Sequence, residues 1–187
     1  MLKSIFFGGT FDPVHNGHIE VIKYIKNNFK FKKIFIAPAG NQYMKIVPPI
    51  ATPIQRYEMC KLAFADNDIE LVDYEINKLS PSYTIDTLNY INKNYPDSNI
   101  SSIVLGSDAF EEINLWKKGS YLLSKYKFIV FSRNDLYQTS KENVNIVKKL
   151  SNLNSSDIRK KIKENKSVLS FTPIEIQEYI KENNLYR

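Results

Sequence analysis

Cysteine is almost absent from this chain of 187 residues, in which Cys60 stands alone. One thiol excludes an internal disulfide framework and any site built from several thiolates, zinc ribbons among them, and it suits a reducing cytoplasm. Histidine is nearly as scarce: only His15 and His18 occur, so any chemistry that needs imidazole must use this one pair. Trp116 is the only tryptophan, and arginine is confined to positions 56, 133, 159 and 187. No apolar run approaches the roughly 20 residues of a membrane span, and the first seven residues lack the long apolar region of a signal peptide. No internal repeat and no Pro/Gly-rich linker divides the chain. The expectation is a cytoplasmic protein without a membrane partner, folded as one domain over residues 1–187.

Hydrophobic residues at 43% and charged residues at 25% are ordinary globular values that leave no room for wholesale disorder. The formal charge is +6, and the excess leans towards the C-terminal quarter. A basic balance permits nucleic-acid contact, but lysines scattered among Asn and Ile also suit a biased base composition, and they show no aromatic interleaving of the RNA-binding kind. Nucleic acid is therefore not expected as a partner. Oligomeric state is not readable, and a homo-oligomer is compatible with the surface.

Short apolar runs at Ser4–Phe7, Lys33–Ala37, Ile69–Val72, Ser102–Leu105 and Phe128–Phe131 read as buried strands. Helical spacing fills the gaps, with Ile22, Ile25 and Phe29 in one segment and Ile85, Leu88 and Ile91 in another. Thr52-Pro53-Ile54-Gln55 and Thr172-Pro173-Ile174-Glu175 both read as capping boxes with a proline at the first helical position. A polar stretch, 132–145, precedes Ile146–Leu150 and two closing helical segments, the last burying Ile176, Tyr179 and Ile180. The alternation predicts an α/β fold: a Rossmann-like open parallel sheet with helices on both faces, and a small C-terminal helical subdomain at about 151–187 packed on its edge.

Gly8-Gly9-Thr10-Phe11-Asp12-Pro13-Val14-His15-Asn16-Gly17-His18 follows the first strand and runs into a helix, where an open α/β sheet presents its ligand crevice. Glycines there let backbone N–H groups approach a phosphate. If the helix starts near Asn16, both histidines sit at its N-terminal end, which favours anions. Imidazoles donating to phosphate oxygens suit phosphoryl or nucleotidyl transfer. A zinc reading of H-x-x-H finds no third His or Cys nearby, and Asp12 is the only close carboxylate before Glu20. Ser155-Ser156-Asp157-Ile158-Arg159 reads as a second helix start with two hydroxyls at the cap; Arg159 and the lysines of its helix would face polyphosphate. Asp108, just past a strand end, is either a ribose acceptor or a helix N-terminal aspartate.

GGTFDPVHNGH resembles the signature of the HxGH nucleotidyltransferase superfamily, and the GGTFDPVH form is similar to bacterial nicotinate-nucleotide adenylyltransferases. The likeness continues at Ser82–Leu88 (SYTIDTL), at Gly106-Ser107-Asp108 with Trp116 following, at 155–159, and at the closing Tyr179-Ile180 and Leu185-Tyr186. The resemblance implies transfer of AMP from ATP to nicotinate mononucleotide, with Mg2+ carried on the ATP phosphates and no dedicated metal site. It implies that His15, His18 and Arg159 are catalytic. Gly8, Gly9, Thr10, Lys45, Gly106, Asp108, Ser155 and Ser156 would bind ATP, and Tyr83, Thr84 and Trp116 the nicotinate nucleotide, with Trp116 stacking on the ring.

The sequence departs from the family pattern at three positions. Met44 stands at the expected histidine before Lys45, and in the family's ISSTxIR Asn154 replaces a serine and Ser156 the threonine, which keeps a hydroxyl. Nicotinamide mononucleotide or phosphopantetheine as acceptor, and a non-catalytic nucleotide-binding regulator, are the alternatives. Phosphopantetheine transfer would leave SYTIDTL and Trp116 unexplained.

Overall fold

A computed structural model of the chain describes residues 2–40, 48–148 and 151–187. Six strands form one sheet: β1 (Ser4–Gly9), β2 (Ile34–Pro38), β3 (Ile69–Leu71), β4 (Ile100–Gly106), β5 (Lys127–Ser132) and β6 (Val144–Lys148). Their order is β3-β2-β1-β4-β5-β6, and every pairing is parallel. Strand order therefore reverses between β1 and β4. The loops leaving their carboxyl ends diverge there and open a crevice, the place where this architecture binds nucleotides.

Seven α-helices connect and close the sheet: α1 (Asn16–Asn28), α2 (Pro53–Ala63), α3 (Thr84–Asn94), α4 (Ser107–Glu111), α5 (Gly119–Lys125), α6 (Ser155–Lys163) and α7 (Ile174–Glu182). A 3-10 turn, Ile113–Leu115, sits between α4 and α5. Alternation along the strands sends Ile5, Phe7, Ile34 and Ile36 to one face, into a core with Ile22, Ile25, Met59, Ile176 and Ile180. Phe6, Phe35 and Ala37 point the other way, into a core with Leu88, Ile91, Phe110 and Leu122. Both faces of the sheet are thus covered, which is why the strands read as continuous apolar runs.

All five predicted strands are present. The sixth, β6, is an edge strand in which only Val147 is buried, so it carries no apolar run to betray it. The Thr52 capping box forms: Thr52 Oγ1 accepts from Gln55 N at 3.2 Å, and Gln55 Oε1 accepts from Thr52 N at 2.9 Å. The second expected box does not. Helix α7 begins one residue later, with Pro173 at the cap position, and the buried Thr172 Oγ1 has no partner. There the chain is instead held by Thr172 O, which accepts from Gln177 Nε2 at 2.8 Å.

Ile25 is fully buried between α1 and the sheet. Ile25→Ala is expected to lower unfolding free energy by about 2–5 kcal/mol, read from urea denaturation, because the cavity left under a rigid sheet collapses poorly.

Candidate active site

The carboxyl ends of β1 and β4 open into a cleft of about 710 Å³. Its floor is the turn after β1. Phe11 takes a left-handed conformation (φ 53°), a costly one for a bulky residue, which its ring offsets by burying against Phe7 at 5.3 Å and His18 at 4.9 Å. The reversal carries Phe11 into the core and leaves Gly8, Gly9 and Thr10 on the cleft wall. A Cβ on Gly9 would come within 2.8 Å of the Phe11 ring, so this turn demands glycine.

Asp12 lies at the centre of the site's scaffold. Its buried carboxylate accepts from Ile50 N at 2.9 Å, from Ala51 N at 3.1 Å and from the Tyr186 hydroxyl at 2.7 Å. Arg159 Nη1 donates to Asp12 O at 2.7 Å and lies 3.6 Å from the carboxylate. Arg56, 1% exposed, is the second buried cation beside it, donating to Ala51 O, Thr10 O and Gly40 O. The Tyr186 phenol is pushed far up by burial and by the Asp12 charge, so it stays a protonated donor.

His15 is the cap residue of α1 and His18 its third residue, so both imidazoles gather at the helix start. Their rings stack at 3.7 Å. His15 N donates to His18 Nδ1 at 3.2 Å, which leaves the His18 ring proton on Nε2. A Cβ on Gly17 would stand 3.0 Å from the His15 ring and 3.1 Å from Ser151 Oγ, so any larger residue there would press on His15. Burial, assisted by the Arg133 charge, pushes the His15 pKa down to about 4; burial, assisted by His15, pushes His18 well below its usual value. Both rings are therefore neutral donors at pH 7, and the positive charge among the described lining residues comes from Arg133, Arg159 and Lys117.

Of the fourteen site residues expected from the sequence, Gly8, Gly9, Thr10, His15, His18, Tyr83, Thr84, Gly106, Asp108, Trp116, Ser155, Ser156 and Arg159 all line this one cleft. Lys45 and the neighbouring Met44 lie outside the described residues. At α6 the detail differs from expectation. The cap is Asn154, whose Oδ1 accepts from Asp157 N at 2.8 Å; neither serine caps, because Ser155 Oγ donates to Pro13 O at 3.0 Å and Ser156 Oγ accepts from Arg159 Nη2 at 3.1 Å. Asparagine is as good a cap as serine, which frees both hydroxyls to hold the loop and the arginine. Lys160, Lys161 and Lys163 do not line the cleft; Lys160 and Lys161 leave the helix on other sides than Arg159.

Besides Asp12, sequence reasoning missed four charged lining residues. Arg133, just beyond β5, donates to Asp108 Oδ2 at 2.6 Å, so the aspartate expected to meet ribose already holds a cation. Lys117 and Glu112 flank Trp116, and Glu75 is a buried carboxylate bonded by Thr87 Oγ1 at 2.5 Å and by Gly40 N at 3.3 Å. Arg133 was detectable, since a residue following a strand end in a parallel sheet faces the crevice. Among the described residues no three His, Cys, Asp or Glu side chains gather to hold a metal ion.

Residues 6–161 match the model of the cytidylyltransferase-like family. The chain is 35% identical to a "probable nicotinate-nucleotide adenylyltransferase" of Caldicellulosiruptor saccharolyticus, and 33% identical to one of Clostridium tetani, with 100% of each chain covered in both cases. Among solved structures it is similar to a Plasmodium falciparum nicotinic acid mononucleotide adenylyltransferase complexed with NaAD, with TM-score 0.80, 20% identity, and coverage of 100% of this chain and 98% of that one. At that identity the likeness establishes the fold.

The depressed histidines link stability to pH. Below pH 6.5 the unfolded chain takes up protons that folded His15 refuses until about pH 4, so stability is full above 6.5 and falls as pH drops through this window. The slope is about 1.4 kcal/mol per pH unit for each such histidine. Urea unfolding at pH 7.5 and pH 5 is expected to show the loss, and His15→Asn to reduce it to the part that His18 contributes. Removing the Tyr186 hydroxyl in Tyr186→Phe is expected to cost about 1–2 kcal/mol in the same assay, because Asp12 loses a buried donor.

Proposed function

The chain belongs to the cytidylyltransferase-like family and, within it, to the nicotinate-nucleotide adenylyltransferases, and from that premise we propose how this cleft joins AMP from ATP to nicotinate mononucleotide, a step of NAD biosynthesis. The observation that carries the assignment of roles is the convergence, at the β1–β4 reversal, of two neutral imidazoles on a helix start with Arg159 across from them.

The nucleophile is a phosphate oxygen of the mononucleotide, already ionised, so no general base is needed. Attack in line on the α-phosphorus forms the new P–O bond as the bond to the bridging α,β-oxygen breaks, and pyrophosphate leaves with that electron pair. The site has two tasks: to align the two phosphates and to neutralise charge on the leaving group. His18, through Nε2–H, and His15 contact the ATP phosphates. Arg159, braced by Asp12 O and Ser156 Oγ, faces the departing pyrophosphate as a fixed guanidinium. Gly8, Gly9 and Thr10 line the meeting point of the nucleotides, with Lys45 as a further phosphate contact. Gly106 and Asp108 receive the adenosine ribose, and Ser155 and Ser156 hold the phosphate end.

Trp116, half-buried beside the start of α3, stacks on the pyridine ring, and backbone N–H groups of the first turn near Tyr83 and Thr84 receive its carboxylate. Magnesium arrives with the polyphosphate, whose oxygens and water supply most ligands that so small an ion requires. Residues 1–187 act as one nucleotidyltransferase unit, with the closing helices forming its C-terminal subdomain. No helix among the described residues is long and apolar enough to cross a membrane, and the free, buried Cys60 is in keeping with the cytoplasm.

Pyrophosphate release measured with ATP and, separately, nicotinate mononucleotide, nicotinamide mononucleotide and phosphopantetheine tests the reading. Turnover is expected with the nicotinate acceptor. Turnover only with phosphopantetheine, or none with any acceptor, contradicts it, the latter favouring a nucleotide-binding regulator. His18→Ala is expected to lower kcat by about 100-fold to 1,000-fold, in the range seen when one transition-state donor is lost, measured on a variant shown to be folded because the ring also packs on Phe11 and accepts from His15 N. Wild-type turnover by that variant would refute the role.

A further inference from the structure

The acceptor end of the cleft carries an unexplained balance of charge. Glu75 and Glu112 line it, and Asp86, in the first turn of α3, stands just behind Tyr83 and Thr84. Three carboxylates close to a subsite for an anionic ring substituent should repel it. Burial raises the Glu75 pKa, while Glu112 is exposed.

One cation answers them. Lys117 follows Trp116 and lines the same end of the cleft. Its Nζ donates to both oxygens of Asp86, at 3.1 and 2.9 Å, and sits 4.6 Å from the centroid of the Tyr83 ring. The cleft's other cations among the described residues, Arg133 and Arg159, are engaged elsewhere, with Asp108 and with the Asp12 backbone. Lys117 therefore joins the strap carrying Trp116 to the first turn of α3. It cancels the aspartate that would otherwise oppose the anion-attracting end of that helix, while its side chain stays 44% exposed and able to meet a ligand.

We propose that Lys117, held in place by Asp86, is a specificity-determining residue that makes the cleft prefer an acceptor bearing a pyridine carboxylate over its carboxamide counterpart. The two acceptors have nearly the same shape and differ by one charge at this end, so shape cannot separate them and the local potential must. Without Lys117, the remaining carboxylates favour the neutral amide. The inference rests on the family reading of the acceptor.

The test is the ratio of kcat/KM for nicotinate against nicotinamide mononucleotide in the wild type, Lys117→Met, Lys117→Arg, and Lys117→Met combined with Asp86→Asn. In Lys117→Met the ratio is expected to fall roughly tenfold, the scale of one charge-assisted contact, through a raised KM for the nicotinate acceptor alone. Lys117→Arg should hold the ratio within about threefold of the wild type, since the charge persists. Adding Asp86→Asn should recover part of the loss. An unchanged ratio in Lys117→Met, or a parallel rise in KM for both acceptors, overturns the proposal, because a merely structural lysine would not sort the two ligands. A wild type inactive on nicotinate mononucleotide overturns the family reading and this inference together; an active wild type with an unmoved Lys117→Met ratio overturns only the inference.

Discussion

The buried carboxylate of Asp12 ties together four parts of the chain that have no other reason to meet. It closes the turn after β1 and receives the backbone N–H groups of Ile50 and Ala51 ahead of α2. It also accepts the hydroxyl of Tyr186 at the end of the chain and lies beside Arg159 of α6. An isolated buried carboxylate is expensive, and this one is tolerated because two backbone donors, a phenol and two guanidinium groups surround it. The consequence is positional: the Gly8–Thr10 wall and Arg159, far apart in sequence, are referred to the same two carboxylate oxygens and their neighbouring carbonyl.

Electrostatics divides the labour within the cleft. The histidines, stacked at the helix start, do not hold protons near neutrality, so in the proposed reaction they would serve as oriented hydrogen-bond donors, cheap to desolvate. Positive charge among the described lining residues rests on Arg133, Arg159 and Lys117. This arrangement fits a reaction whose charge grows on a leaving pyrophosphate, where preorganised donors and fixed cations matter and proton transfer does not. Glycine at position 17 leaves the His15 ring uncrowded, so packing as well as chemistry favours this residue within the motif.

What the sequence displayed was governed by burial. Five strands and the helix faces of Ile22 and Ile25 and of Leu88 and Ile91 were legible because both sides of the sheet are covered, so apolar runs and 3.6-residue spacing survive undiluted. Strand β6 was not, since Asn145 and Lys148 interrupt its apolar residues and only Val147 is buried. The gathering of His15, His18 and Arg159 in one cleft was foreseeable from two helix starts and a strand end. The hub role of Asp12 was not: its partners Ile50, Ala51, Tyr186 and Arg159 are 38 to 174 residues away, and no local pattern announces a hydrogen bond at that range. Asn154 looked like a departure and is an adequate cap. Lys117 was one lysine among many until the fold placed it on Asp86.

The central claim is that Asp12 assembles the phosphate end of the site. Asp12→Asn tests it most directly, because the substitution preserves shape while placing an NH2 where Ile50 N–H or Ala51 N–H now donates and removing the charge that faces Arg159. Single-turnover formation of the dinucleotide from ATP and nicotinate mononucleotide, measured on folded protein, is predicted to slow by about 100-fold or more, the scale of a lost transition-state contact. A folded Asp12→Asn variant that forms product at the wild-type rate would contradict the account.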